Sequence, residues 1–135
     1  MRLVFHTNVV VAGIAAEGLC HEILEIHLPE HEAILSQVLW DELLATLWRK
    51  FGLTAQDLPI LALYRQHAQW TDPARLPDAV CRDHDDDWVL ATAVAGGAEA
   101  IVTGDADLLT LGSYSGVEII SPRQFVARQV KPGRP

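Results

Sequence analysis

At 135 residues, about half of them apolar, the chain is long enough to bury a continuous core and too short to hold a second domain comfortably. Eighteen acids against ten bases give a formal charge of −8, which argues against general attraction to nucleic acid; a polyanionic partner would need local cations or a metal ion. Cys20 and Cys81 stand alone, outside any CxxC or Cys/His zinc spacing, and read as buried thiols of a reduced, cytoplasmic protein.

The apolar Leu3-Val4-Phe5, bounded by polar residues, reads as a strand covered on both faces. His6-Thr7-Asn8 breaks the apolar run too soon for a signal peptide, and no later stretch reaches membrane-spanning length. Thr7 or Asn8 is placed to cap a helix whose apolar residues run from Val9 to Ala16 and end at Glu17-Gly18. Leu19–Leu28 reads as a second helix stopped by Pro29, and Ala33-Ile34-Leu35 as a second strand. Ser36 then caps a helix to about Lys50, with Leu39, Leu43, Leu44 and Leu47 on its apolar stripe.

Thr54-Ala55-Gln56-Asp57 opens a further helix through about Gln69, which pairs with the preceding one as a hairpin. Pro59 is tolerable there because it falls in the first turns. Trp70 to Pro77 is punctuated by proline and reads as extended, with a minor strand. A helical run Trp88–Ala95, a strand Ala100–Val102, a short helix Asp107–Leu111, a strand Val117–Ile120 and a helix from Ser121-Pro122 to Val130 complete the order; the tail 131–135 reads as disordered.

Arg82–Leu109 carries the most chemistry. Asp83, Asp85, Asp86 and Asp87 precede the helical run, and Thr103-Gly104-Asp105-Ala106-Asp107 follows the strand. A helix of roughly ten residues and a strand of roughly five each cover about 15 Å, so helix out and strand back return Asp105 to the edge where Asp86 began. Carboxylates gathered in this way repel one another unless a divalent cation or shared protons neutralise them.

Strands alternating with helices imply an α/β domain over residues 1–130: a three-layer α/β/α sandwich around a central parallel sheet of four or five short strands. In such sheets ligands bind outside the carboxyl ends of the strands. His6 to Asn8, Ser36 with Glu42, and Thr103 to Asp105 should therefore face one another.

This order resembles the PIN-domain family of metal-dependent ribonucleases, in particular the VapC-like toxins of bacterial toxin–antitoxin pairs. The resemblance rests on Phe5–Ala12, on Leu35–Leu43 and, most specifically, on Cys81–Leu109. It implies a PIN-like fold and a nuclease whose carboxylates hold Mg²⁺ or Mn²⁺, hydrolysing RNA by a metal-activated water. It further implies a cognate antitoxin as partner and a homodimer. By position Glu42, Asp86 and Asp105 match the family's second, third and fourth acids, with Asp87 and Asp107 accessory and Ser36, Thr103 and Asn8 supporting. The family pattern has Asp-Thr-Asn after the first strand, where this chain has His6-Thr7-Asn8. His6 is then a candidate ligand, and imidazole suits manganese or zinc better than magnesium. The substitution leaves three outcomes: a weakened site, a changed metal preference, or a silent one.

Ordinary readings stand beside these. Aspartates ahead of a helix meet its dipole and cap it, Asp105 can cap the helix that follows it, and Glu42 can be a solvated glutamate among leucines. Trp40, Trp48, Trp70 and Trp88 read as core or dimer contacts before base-stacking platforms. Arg49, Lys50 and Arg82 are candidate RNA-steering cations. The competing function is a degenerate PIN domain that binds RNA or protein without cutting, which His6 favours; a receiver-type phosphotransfer pocket ranks below both, because His6 and Ser36 occupy the strand ends where its aspartate would stand.

Overall fold

A computed structural model describes residues 1–129. The expected tail 131–135 and Val130, the end of the expected last helix, lie outside the described residues. Six strands form one sheet in the order β3-β2-β1-β4-β6-β5: β1 Arg2–Phe5, β2 Glu32–Leu35, β3 Gln69–Trp70, β4 Ala100–Val102, β5 Ser113–Tyr114 and β6 Val117–Ile120. All neighbours are parallel except β5, which pairs antiparallel with β6. Five of the six form the expected parallel sheet, and β5 is an antiparallel strand added at its edge. Ser115 and Gly116 both take positive φ, 49° and 82°, and this tight reversal folds Ser113-Tyr114 back along β6.

Leu3, Val4, Ile101 and Val102 are fully buried, as expected of central strands with helices on both faces. Phe125, on α7 (Pro122–Gln129), is buried against Phe5, ring centroids 5.9 Å apart at 86°.

α1 (Thr7–Ala15) starts one residue after the strand, and neither Thr7 nor Asn8 caps it. His6 holds the cap position, and its backbone carbonyl accepts from the Val9 N–H at 2.9 Å. The expected helix Leu19–Leu28 divides into α2 (Leu19–Glu22), a π turn Ile23–His27 and a 3-10 turn Leu28–Glu30. Pro29 lacks an N–H to carry the ladder onward, and the widened turn keeps Ile23 and Leu24 facing the core. At Gly13 α1 passes so close to α2 that a Cβ would stand 2.6 Å from Leu24 Cδ1 and 2.7 Å from the Cys20 carbonyl oxygen.

α3 (Gln37–Phe51) is capped by Ser36, whose Oγ accepts from the Leu39 N–H at 3.3 Å, and ends at Gly52 in the left-handed region. The Thr54/Asp57 capping box closes only a 3-10 turn, Ala55–Asp57, and α4 runs from Pro59 to His67. Pro59 must occupy a first turn, so the helix restarts there, and it stops before Gln69 because Gln69-Trp70 joins the sheet. α5 (His84–Gly96) starts earlier than expected, drawing Asp85, Asp86 and Asp87 into its first turn, with Asp83 as cap. α6 covers Ala106–Leu111.

Candidate functional site

The ladders set three strand ends on one row. Phe5 pairs with Val102 and Leu3 with Ala33, so His6 is level with Thr103 and, on the same register, with Ser36. The His6 N–H donates to the Val102 carbonyl at 3.0 Å. α5 brings Asp86 to this row; it is 7 % exposed, as is His6.

Two hydrogen-bond chains fix these groups. Thr103 Oγ1 accepts from the Asp105 N–H at 3.0 Å and stands 2.7 Å from His6 Nδ1. On the other side of the ring, His6 Nε2 lies 3.3 Å from Asp86 Oδ1. Burial lowers the His6 pKa in spite of the opposing fields of Asp105 and Asp83, so the contact is a neutral imidazole on a carboxylate rather than an ion pair. Both ring nitrogens have a polar neighbour, Thr103 Oγ1 at 2.7 Å and Asp86 Oδ1 at 3.3 Å.

The second chain starts at the Leu39 N–H on Ser36 Oγ. Thr92 Oγ1 donates to the Trp88 carbonyl at 2.8 Å, so it accepts the Ser36 hydroxyl proton at 2.9 Å. Ser36 and Thr92 are both fully buried. This chain clamps the start of α3 to α5 and so holds Glu42 near Asp86. Sequence reasoning misses Thr92; its signal is a lone hydroxyl among alanines, one turn beyond Trp88.

The electrostatics tie the acids together. Asp86 is pushed up to about 6, first by burial and then by Asp105, Asp83, Asp85 and Asp107. Glu42 is pushed up to about 7, first by burial and then by Asp85, Asp86 and Asp83. Asp83 and Asp85 act on both carboxyls, and Asp86 itself acts on Glu42. Asp105 Oδ2 caps α6, accepting from the Leu108 N–H at 2.9 Å.

Other candidates stand outside this core. Asp87 accepts from the Cys81 N–H at 2.8 Å and from the Val80 N–H, tying the preceding loop to α5. Asp107 is exposed and pairs with Arg82 at 2.8 Å. Asn8 is exposed on the first turn of α1.

The donor types suit a hard dication. Asp86, Glu42 and Asp105 offer carboxylate oxygens, and Asp86 and Glu42 are raised first by burial and then by neighbouring acids, both of which a bound dication would offset. Among the described residues no three His, Cys, Asp or Glu side chains close around a single point. A cavity of about 650 Å³, lined by Val10, Leu24, Leu61 and Tyr64 among others, includes none of these acids.

The PIN-domain family model matches residues 2–107. This chain belongs to the PIN-domain family. Among solved structures it is similar to the crystal structure of VapBC2 from Rickettsia felis bound to a DNA fragment from their promoter, with a TM-score of 0.60 and 14% identity over 90% of this chain and 98% of the other. At that identity the likeness speaks for the fold. No curated protein matches. Among the described residues of this PIN domain no helix is long and apolar enough to cross a membrane.

Proposed function

We propose that this PIN domain is a cytoplasmic metal-dependent endoribonuclease, the toxin of a toxin–antitoxin pair. The observation that carries the reading is Asp86, a buried carboxylate on the row of strand ends, pushed up to about 6 within the field of Asp105 and the first-turn acids of α5. Asp86, Asp105 and Glu42 would hold Mg²⁺ or Mn²⁺, and the bound ion supplies a Lewis acid and an acidified water for attack on a phosphodiester. Thr103 and His6 fix the Asp86 carboxylate, while Ser36 and Thr92 fix the helix that carries Glu42. Asn8, Asp87 and Asp107 would act from outside, on substrate approach or loop position.

A cognate antitoxin as partner is part of the same reading, supported by the fold shared with the VapBC2 structure. A homodimer is part of it as well, and Trp48 and Phe51, 63 % and 46 % exposed on α3, are apolar surface suited to a second copy.

The test is incubation of the chain with single-stranded RNA and Mg²⁺ or Mn²⁺. Cleavage is expected, and Asp86→Asn and Asp105→Asn abolish it. If neither ion gives cleavage and His6→Asp does not restore it, the enzyme reading fails. A second reading, a PIN domain that binds RNA or protein without cutting, is favoured by one observation: His6 stands where the family pattern has an aspartate, with its Nε2 3.3 Å from Asp86 Oδ1. Cleavage that appears only on His6→Asp would mark a silenced nuclease.

A further inference from the structure

We propose that Trp70 and Arg65 form a stacking platform for an unpaired base of single-stranded RNA, on the β3 side of the carboxylate crevice. The proposal rests on the nuclease reading and adds to it where the substrate is held. Trp70 pairs with Leu35 in the ladder, and the Thr71 N–H donates to the Leu35 carbonyl at 2.9 Å. The chain therefore leaves β3 beside Ser36, on the same row of strand ends as His6. Two strand spacings separate Thr71 from His6, about 10 Å.

The platform is rigid. The Trp70 indole N–H donates to the Arg65 carbonyl at 3.0 Å, and its ring meets the buried Trp40 ring edge-on, centroids 6.2 Å apart at 65°. The Arg65 guanidinium lies 5.4 Å from the Trp40 centroid and 5.6 Å from that of Trp70. Yet Trp70 stays 41 % exposed, far more than packing on Trp40 requires.

Arg65 is also an uncommitted cation. Arg2, Arg82 and Arg128 each pair with a carboxylate, whereas Arg65 forms no ion pair among the described residues. Beside it opens a hollow of about 570 Å³ lined by Gln37, Ala62, Arg65, Gln66 and Trp70, within the range of small-ligand sites. Gln37 spends an N–H on Asp41 at 2.8 Å, leaving Oε1 to accept from a base edge.

These are the parts that single-stranded RNA needs: a ring for a base face, a guanidinium for a phosphate and amides for a base edge. They also meet the difficulty set by the charge of the chain. A crevice of aspartates repels phosphates, so affinity must come from its flank, and stacking gives affinity that salt does not screen.

The experiment measures binding of a fluorescein-labelled ten-nucleotide oligoadenylate RNA by anisotropy in EDTA, and its cleavage with Mn²⁺, for wild type, Trp70→Ala, Trp70→Phe and Arg65→Gln. Thermal melts check folding. Trp70→Ala is expected to weaken binding about tenfold and Trp70→Phe much less. Arg65→Gln, on an exposed side chain, is expected to lower the slope of log affinity against log salt by about 0.7. In cleavage, Trp70→Ala is expected to raise KM and keep kcat. If wild type binds or cuts and all three variants behave like it, the platform is wrong and the nuclease reading stands. If wild type does not bind, the platform is wrong, and the nuclease reading falls with it only if neither wild type nor His6→Asp cuts. Duplex RNA bound as tightly as the single strand, or DNA of the same sequence bound as tightly as RNA, would overturn the proposed substrate.

Discussion

Replacing Asp86 by asparagine is expected to stabilise the protein at pH 8 while abolishing cleavage. Asp86 sits at about 6 against an ordinary 3.8, a gap of about two pH units. At ~1.4 kcal/mol per unit the folded protein carries an upper bound of ~3 kcal/mol for keeping that carboxylate ionised. Because the folded pKa is raised, the cost is absent below the ordinary carboxylate range, grows between about pH 4 and 6, and is complete above. Asparagine keeps the size and shape of the side chain and drops the charge, so a net gain of about 1–3 kcal/mol is expected at pH 8 and almost none at pH 4. At ~3–5 °C per kcal/mol for a chain of this size, Tm should rise by about 3–15 °C at pH 8. Calorimetry of both proteins at the two pH values, without divalent ions, tests this. A lower Tm for the variant at pH 8, or an equal shift at both pH values, would refute the electrostatic account.

Glu42, at about 7, extends the same trend in the wild type. Its stability should fall as pH rises from about 4 to 7.5, and Mn²⁺ at 100 times its Kd should restore about 2.7 kcal/mol, seen as a Tm shift that Asp86→Asn lacks. His6→Asp adds a further buried acid beside Asp86; the melt without metal should fall by several degrees, recover with Mg²⁺, and be accompanied by faster RNA cleavage. Thr92→Val leaves the buried Ser36 hydroxyl without an acceptor, and the urea midpoint should drop by the equivalent of about 1–2 kcal/mol with m unchanged. Gly13→Ala forces a methyl group against the Cys20 backbone, and a loss of about 1–3 kcal/mol in the same titration is expected.

Much of the fold is legible in the amino-acid sequence. Runs such as Leu3–Phe5 and Ala100–Val102 are short, apolar and flanked by polar residues, which only a buried strand accommodates, and the helix-out, strand-back arithmetic brings Asp105 toward Asp86. The π turn and β5 are not legible, because both depend on how the chain is pulled by neighbours rather than on local pattern, although Ser115-Gly116 is itself a turn signal. At the site, Asp87 and Asp107 share the residue type of Asp86 but differ in direction. One helical step turns a side chain by about 100°, enough to send Asp87 to the loop while Asp86 faces the strand ends. The Thr103 and Thr92 hydroxyls matter through partners far away in sequence, which spacing does not reveal.

Both margins of the sheet are two-residue strands, Gln69-Trp70 on one side and Ser113-Tyr114 on the other. Such stubs offer too few free amides and carbonyls for a foreign peptide to add itself as a seventh rung, which also guards against edge-to-edge aggregation. Whatever grips this molecule must therefore come side-chain first, as a helix laid along its flanks or a segment crossing the mouth of the crevice.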